Sequence, residues 1–248
     1  ERVARSIDVP VISVSERMAA IAVYVGEQKH RLDPIPRLLD GANQALRTLE
    51  RYRARLDEVS SNLSALEIED LVTVRDVVQV LQRTEMVRRI AAEVQAYVVE
   101  LGIEGRLVRL HLEELYGGVE DDRRLVLRDY FHEDAGWHLP EAMAGLSSLD
   151  TDHLLDFKSV ASVLHLPSDA DDLDANVEPR GHRLLSKVPR LPDAVIDAIV
   201  HHMRSLQTIM RATIPDLVNV EGVGETRARA IKEGLARLAE SSILDRYG

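Results

Sequence analysis

The chain has 248 residues, of which 45% are hydrophobic, 29% charged and only 4% aromatic, and its formal net charge is −11. It has no cysteine, which excludes disulfides and thiolate metal ligands and fits a reducing cytoplasm. No run of about 18 apolar residues is present to cross a membrane, and Glu1-Arg2-Val3-Ala4-Arg5 lacks the pattern of a signal peptide.

Val9 to Ser15 alternates and is β-branched, which predicts a strand; Ala19 to Val25 predicts a second one, ending at Gly26. No third strand is expected, and Lys29-His30-Arg31 reads as a polar turn. A two-stranded ribbon is marginal alone, so residues 1–33 are expected to be the C-terminal remnant of a domain whose other strands precede it.

After Asp33-Pro34-Ile35-Pro36 the period changes. Leu39, Ala42, Leu46, Leu49, Tyr52, Leu56, Val59, Leu63 and Leu66 recur at steps of three and four. That is one face of a helix of about thirty residues, roughly 45 Å long. Arg53 and Ser60 interrupt this seam, which favours an intramolecular bundle over a long coiled coil. A second long helix opens at Thr73, with Asp76 three residues on, carries Val77, Leu81, Val87, Ile90, Val94 and Val98, and stops at Gly102. Shorter helices are predicted over Gly105–Tyr116 and Asp121–Phe131, with one or two more between Leu146 and Leu166. Pro167 to Pro179 is an acidic linker, whose Asp172-x-Asp174-x-Asn176 fails as a calcium loop because Val177 stands where glycine is needed. His132, Glu133, Asp134 and His138 surround Trp137 without metal-ligand spacing and read as a polar loop. Short helices are expected from Gly181 onward. The expected domains are therefore 1–33, a helical spine over 34–145, short helices and linker over 146–179, and a terminal module over 180–248.

Charge is unevenly spread. Residues 180–248 carry 11 basic and 8 acidic side chains, a local +3, leaving −14 on residues 1–179. Within the basic part, Leu217 to Ile231 holds Gly222-Val223-Gly224 between two helical segments, with Thr226, Arg227, Arg229 and Lys232 in the first turns of the second. Glycines at such a turn adopt backbone conformations other residues resist and bring main-chain N–H groups to the surface at a helix N-terminus, where they can hold a phosphate. Both Gly222 and Gly224 are expected to be intolerant of a Cβ. The pattern fits h-x-x-h-x-G-h-G-x-x-x-A-x-x-h and resembles a helix-hairpin-helix motif; it is no dinucleotide fingerprint, because Arg227 occupies the third glycine place. Val188-Pro189-Arg190-Leu191-Pro192-Asp193 resembles a degenerate first hairpin in which prolines replace the glycines. The pair is similar to the C-terminal half of a RuvA-like domain. Of the adjacent His201 and His202, His201 is expected to be solvated.

Three unrelated segments then occur in one order: Val11-Ile12-Ser13-Val14-Ser15-Glu16, the Leu38-Leu39…Ala42-Asn43-Gln44-Ala45-Leu46 spine, and Pro179-Arg180-Gly181-x-Arg183-Leu184-Leu185 before the hairpins. In this the chain resembles the DisA family of diadenylate cyclases over its whole length. The resemblance implies a mainly α fold: an α/β cyclase remnant, a long-helix spine and a tandem helix-hairpin-helix module. It also implies condensation of two ATP into cyclic di-AMP with Mg or Mn, regulation by DNA (branched DNA above all), octameric assembly and a cytoplasmic location. The family's Asp-Gly-Ala and Arg-His-Arg motifs normally precede the segment where this chain begins. Asp40-Gly41-Ala42 and Lys29-His30-Arg31 spell similar triplets in the wrong order and are taken as helix surface and turn. Only Ser15 and Arg17 match positions near the family's nucleotide, so this chain alone is expected to be catalytically inactive and to bind no metal itself. A non-enzymatic DNA-binding scaffold or repair accessory subunit is the alternative. Gly222, Val223, Gly224, Thr226, Arg227, Arg229 and Lys232 are the expected DNA contacts.

Overall fold

The computed structural model describes residues 9–15, 20–131, 138–166 and 172–247. Arg17 and the stretch 132–137, with His132, Glu133, Asp134 and Trp137, lie outside the described residues. The fold is mainly helical with one small antiparallel sheet, and it divides into two compact units: Glu1–Arg51 with Arg89–Tyr116, and Tyr52–Arg88 with Gly117–Gly248.

In the first unit, β1 (Val11–Ser15), β2 (Ala20–Val25) and β3 (Gln28–Leu32) form a sheet in that order. The third strand corrects the expected two-stranded ribbon, and Lys29-His30-Arg31 lies in it rather than in a turn. Val25 pairs with Gln28 across a two-residue loop that opens at Gly26, whose φ is +57°. A loop that short forces the following residues back along β2 whatever their polarity, and a lysine- and arginine-bearing strand is a normal sheet edge. Ile12, Val14, Ile21 and Val25 share one sheet face and are exposed.

Helix α1 (Ile35–Glu69) and helix α2 (Val74–Leu101) are the two long helices, and each contributes one part to each unit. In the first unit the buried side chains are Leu38, Ala42, Ala45, Leu46 and Leu49 of α1 and Ala91, Val94, Val98 and Leu101 of α2. Helix α3 (Arg106–Tyr116) adds Val108 and Leu112. The Asp40-Gly41-Ala42 triplet is only partly surface: Asp40 is exposed, Ala42 is buried, and a Cβ on Gly41 would stand 2.9 Å from the Tyr97 ring. Helix α2 begins where expected, with both the amide and the hydroxyl of Thr73 donating to Asp76 (2.9 and 2.6 Å), and it ends at Gly102, whose φ is +58°.

The second unit holds the rest: α4 (Val119–Tyr130), α5 (Leu139–Ser148), α6 (Thr151–Leu155), α7 (Phe157–Val163), α8 (His182–Ser186), α9 (Asp193–Met203), α10 (Leu206–Arg211), α11 (Ile214–Val218) and α12 (Glu225–Tyr247). Val74, Val77, Val78, Val80, Leu81 and Val87 are all buried, so this part of α2 is covered on more than one face. The expected acidic linker is not a free tether. Its described part docks on the start of α2: Val74 N–H donates to Ala175 O, Val177 N–H to Val72 O, and Arg75 Nε to Asp174 Oδ1 at 2.9 Å. The terminal helix α12 runs 23 residues, against the short helices expected there. Its apolar residues Ala228, Ile231 and Leu235 keep one face buried in the terminal core.

Candidate nucleic-acid interface

Residues 182–247 hold two helical hairpins with the same course, shifted by 32 positions (His182 to Ile214, Asp193 to Glu225). Each is a five-residue helix, a six-residue turn and a longer helix. The apolar code repeats with it: Leu185 and Leu217, Val188 and Val220, Ile196 and Ala228, and Ile199 and Ile231 are all buried. So do the turn hydrogen bonds, Val188 N–H to Leu185 O (3.0 Å) and Val220 N–H to Leu217 O (3.1 Å). Under this repeat Pro192 stands in the place of Gly224, but the place of Gly222 is filled by Arg190, not by a proline as the motif suggested. Arg190 and Gly222 share the left-handed backbone conformation, with φ of +61° and +79°.

The two glycines of the second turn differ. Gly222 is required by its φ, and a Cβ there would also meet Val195 Cγ2 at 3.4 Å. Gly224 was expected to be equally intolerant, yet it has an ordinary φ and nothing within 4 Å of the place its Cβ would take. The fold therefore leaves open space at Gly224. Between them Val223, one of the expected DNA contacts, is buried, with its amide donating to Val220 O at 3.1 Å. The carbonyl of Gly224 accepts the first bond of α12 from Ala228 N–H, while the amides of Gly224, Glu225, Thr226 and Arg227 have no acceptor among the described residues. Four such amides at a helix start carry partial positive charge outward.

The charged candidates are placed unequally. Arg227 is exposed and folds back so that Nη1 donates to Gly222 O at 2.6 Å. Arg229 is exposed and meets Glu225 one turn earlier at 3.4 Å, and Thr226 is exposed with no side-chain partner among the described residues. Lys232 is half-buried, and its ammonium donates to Met210 O at the end of α10 (2.6 Å), a structural tie to the neighbouring helix. Ser15, far from this module in sequence, ends β1 opposite Ala20. His201 and His202 are exposed and both line a cleft of about 900 Å³ with Arg180, Arg204 and Glu221. His138 precedes α5, where its amide donates to Glu141 Oε2 (2.9 Å). Among the described residues no three His, Asp or Glu side chains could hold a metal ion.

Sequence reasoning missed what anchors the first hairpin. The Asp129 carboxylate is buried and accepts from the amides of Gly181, His182 and Arg183 (2.9, 2.7 and 2.9 Å) and from His182 Nδ1 (3.0 Å), so it caps α8 from α4. Arg183, also buried, donates through Nε to Glu67 Oε1 at 3.0 Å and through its other nitrogens to Ser60 O, Ser60 Oγ and Ser64 Oγ, all on α1. Tyr130 Oη donates to the same Glu67 oxygen at 2.8 Å. Burial raises the pKa of the Glu67 carboxyl above the usual range despite the pull of Arg183. Burial, and then the Glu67 charge, push the Tyr130 hydroxyl well up. Burial opposes the charge on Arg183, yet Glu67 keeps that guanidinium above its ordinary value. The sequence signal was Ser60, Ser64 and Glu67, polar residues at steps of four and three along the inner face of α1.

Comparison with known proteins gives a consistent picture. The DisA bacterial checkpoint controller linker region matches residues 32–173. The DNA integrity scanning protein DisA of Parafrankia sp. (strain EAN1pec) is 54% identical over 248 residues, all of this chain and 69% of that protein. Those of Kineococcus radiotolerans (55% over 252 residues, 69% of that protein) and Streptomyces coelicolor (54% over 250 residues, 67% of that protein) also match all of this chain. No helix among the described residues is long and apolar enough to cross a membrane. With more than half its length matched by the linker region and all of it by these relatives, the chain belongs to the DisA family.

Proposed function

We propose that residues 180–248 form a tandem helix-hairpin-helix module, RuvA-like in kind, that binds the backbone of DNA within a DNA-sensing diadenylate cyclase. The observation that carries this is the second turn, where four unpartnered amides and the exposed Arg227 surround open space at Gly224. A phosphate can approach the main chain there because no Cβ stands in the way. Such contacts read backbone rather than base edges, so binding is insensitive to sequence. With about two to four phosphates neutralised, the log–log salt slope is about −2 to −4, and the affinity of one module is roughly micromolar or weaker at physiological salt. The relatives' printed name, DNA integrity scanning protein, supports DNA as the partner.

In the same proposal, the whole enzyme joins two ATP into cyclic di-AMP with Mg or Mn, and DNA held at the hairpins regulates it. Several modules in one octamer engage the arms of a branched junction together. The chain as given keeps the spine and DNA-binding parts. Residues 29–31 lie in a strand, with His30 Nε2 2.9 Å from Glu100, and residues 40–42 lie in α1; in this proposal neither triplet is read as a nucleotide site, and the metal–ATP chemistry is assigned to no residue here. The exposed apolar sheet face of Ile12, Val14, Ile21 and Val25 supports assembly through the first unit.

The test is Gly224→Val, titrated by fluorescence anisotropy against labelled duplex and four-way junction at low and physiological salt. Since the site is open, the variant keeps its thermal midpoint, while loss of amide–phosphate contacts weakens binding about tenfold. Unchanged affinity in the folded variant would leave this turn a structural corner.

A further inference from the structure

The second turn presents main chain to a ligand; the first turn is built so that it cannot do so in the same way. Pro192 occupies the position of Gly224 and has no N–H to give. The amides of Asp193 and Ala194 have no acceptor among the described residues, like those of Glu225 and Thr226, but that of Val195 is taken by Pro192 O at 2.9 Å, whereas its counterpart Arg227 has none. A second proline, Pro189, removes another donor from the turn.

Against this loss, the first turn has Arg190 in place of Gly222. At φ +61° the backbone conformation favours glycine, and an arginine there is strained by its own Cβ. No contact among the described residues explains why it is there. The side chain is exposed, and it makes no hydrogen bond, ion pair or ring contact among the described residues. The other arginine with positive φ, Arg204, differs, because its amide closes the end of α9 on Val200 O at 2.8 Å. A guanidinium held at the tip of a hairpin turn, unpaired and facing solvent, is a fork matched to the oxygens of a phosphodiester.

We infer that Arg190 is the phosphate-binding residue of the first hairpin, so that the module grips a nucleic-acid backbone by main-chain amides at one turn and by a guanidinium at the other. This rests on the reading of the second turn as a DNA contact. The strained backbone at Arg190 is then the cost of placing a long cation where the repeat would otherwise have glycine, and the pair of prolines fixes the turn that aims it.

The experiment compares Arg190→Gly and Arg190→Lys with the unmodified full chain, measuring duplex binding across a salt series together with thermal unfolding. Glycine relieves the positive φ, so Arg190→Gly should unfold at an unchanged or higher temperature. Its affinity should nevertheless fall about tenfold and its log–log salt slope lose about one. Arg190→Lys should recover much of the slope but not all of the affinity, because it keeps the charge without the fork. Wild-type affinity and slope in Arg190→Gly would overturn the inference, as would a lower unfolding temperature with binding intact. Gly224→Val run in parallel separates the two readings. If it weakens binding while Arg190→Gly does not, the DNA site stands and the role of Arg190 falls; if neither weakens binding, both fall.

Discussion

Arg183→Met tests how firmly the hairpin module is held to the rest of its unit. The substitution keeps an apolar stem of similar length and removes a guanidinium that is 2% exposed. Most of the acceptors it leaves are covered. Ser60 O still receives Ser64 Oγ at 3.1 Å, and Ser64 Oγ still receives Lys187 Nζ at 2.8 Å. Glu67 is not covered: it is fully buried, Oε2 has no partner, and only Tyr130 would continue to donate to Oε1. Breaking a buried ion pair from one side costs about 3–5 kcal/mol, which for a unit of this size is a fall of roughly 6–20 °C in unfolding temperature. The loss should shrink on acidification, because an unpaired buried carboxyl escapes its penalty by protonating, and Glu67 already lies above the usual carboxylate range through burial. Its raised pKa sets the sign: the folded state binds this proton more readily than the unfolded one, so stability from this group is present at low pH and lost as pH rises through the raised value. Thermal and urea unfolding of Arg183→Met and of Glu67→Gln/Arg183→Met, followed by circular dichroism near neutral pH and at mildly acidic pH, would measure this. If the two units melt separately, only the transition of the second should move. A single variant within about 1 kcal/mol of wild type, or a double variant no more stable than the single one, would refute the account of Glu67 as the group left stranded.

Two further outcomes follow from local geometry. Asp216 is exposed at the start of α11, and its carboxyl is lowered below the ordinary 3.8 by hydrogen bonds from the Thr213 hydroxyl (2.6 Å) and then the Thr213 amide (2.8 Å). Stability from that cap is complete above the ordinary value and disappears as pH falls through the lowered one, so Asp216→Asn should flatten the acid limb of a stability–pH curve below about pH 4; an unchanged limb would exclude this cap as a contributor. Gly41→Ala in the first unit drives a methyl to within 2.9 Å of Tyr97 and should cost about 1–3 kcal/mol. Combining it with Tyr97→Leu should restore part of that loss, and no restoration would move the fault away from this contact.

The long helices were legible because their apolar steps are regular and their ends carry ordinary stop signals, Thr73 with Asp76 and Gly102 among them. Helix α5 went unread although Pro140 stands in its first turn and Glu141 follows His138 by three, because neither sits in a long periodic run. Strand β3 escaped because its residues are polar, and what makes it a strand is the two-residue loop before it. The interruptions of the α1 seam, Arg53 and Ser60, favour an intramolecular bundle over a long coiled coil but do not by themselves name their partners. Ser60 receives Arg183, and Arg53 ties Gly117 O (2.8 Å) and Asp57 (2.8 Å). A polar residue on an inner helix face marks a partner that comes from far along the chain, and periodicity has no means of naming it.

The same limit governs the hairpin glycines. A glycine motif written as letters treats Gly222 and Gly224 alike, yet only Gly222 is demanded by the backbone, as its φ of +79° shows. At Gly224 the fold would accept a side chain, so folding alone does not require glycine there. The first hairpin supports this division. Where the backbone demand recurs, at position 190, an arginine meets it under strain; where the demand is absent, at position 192, the chain has a proline and gives up the amide altogether. A repeat that had diverged only under the needs of folding would be expected to keep glycine at 190, the lower-energy choice. An exposed cation there, with no partner among the described residues, together with the main-chain donor lost at Pro192, is the observation on which the proposed division between a main-chain contact and a side-chain contact rests.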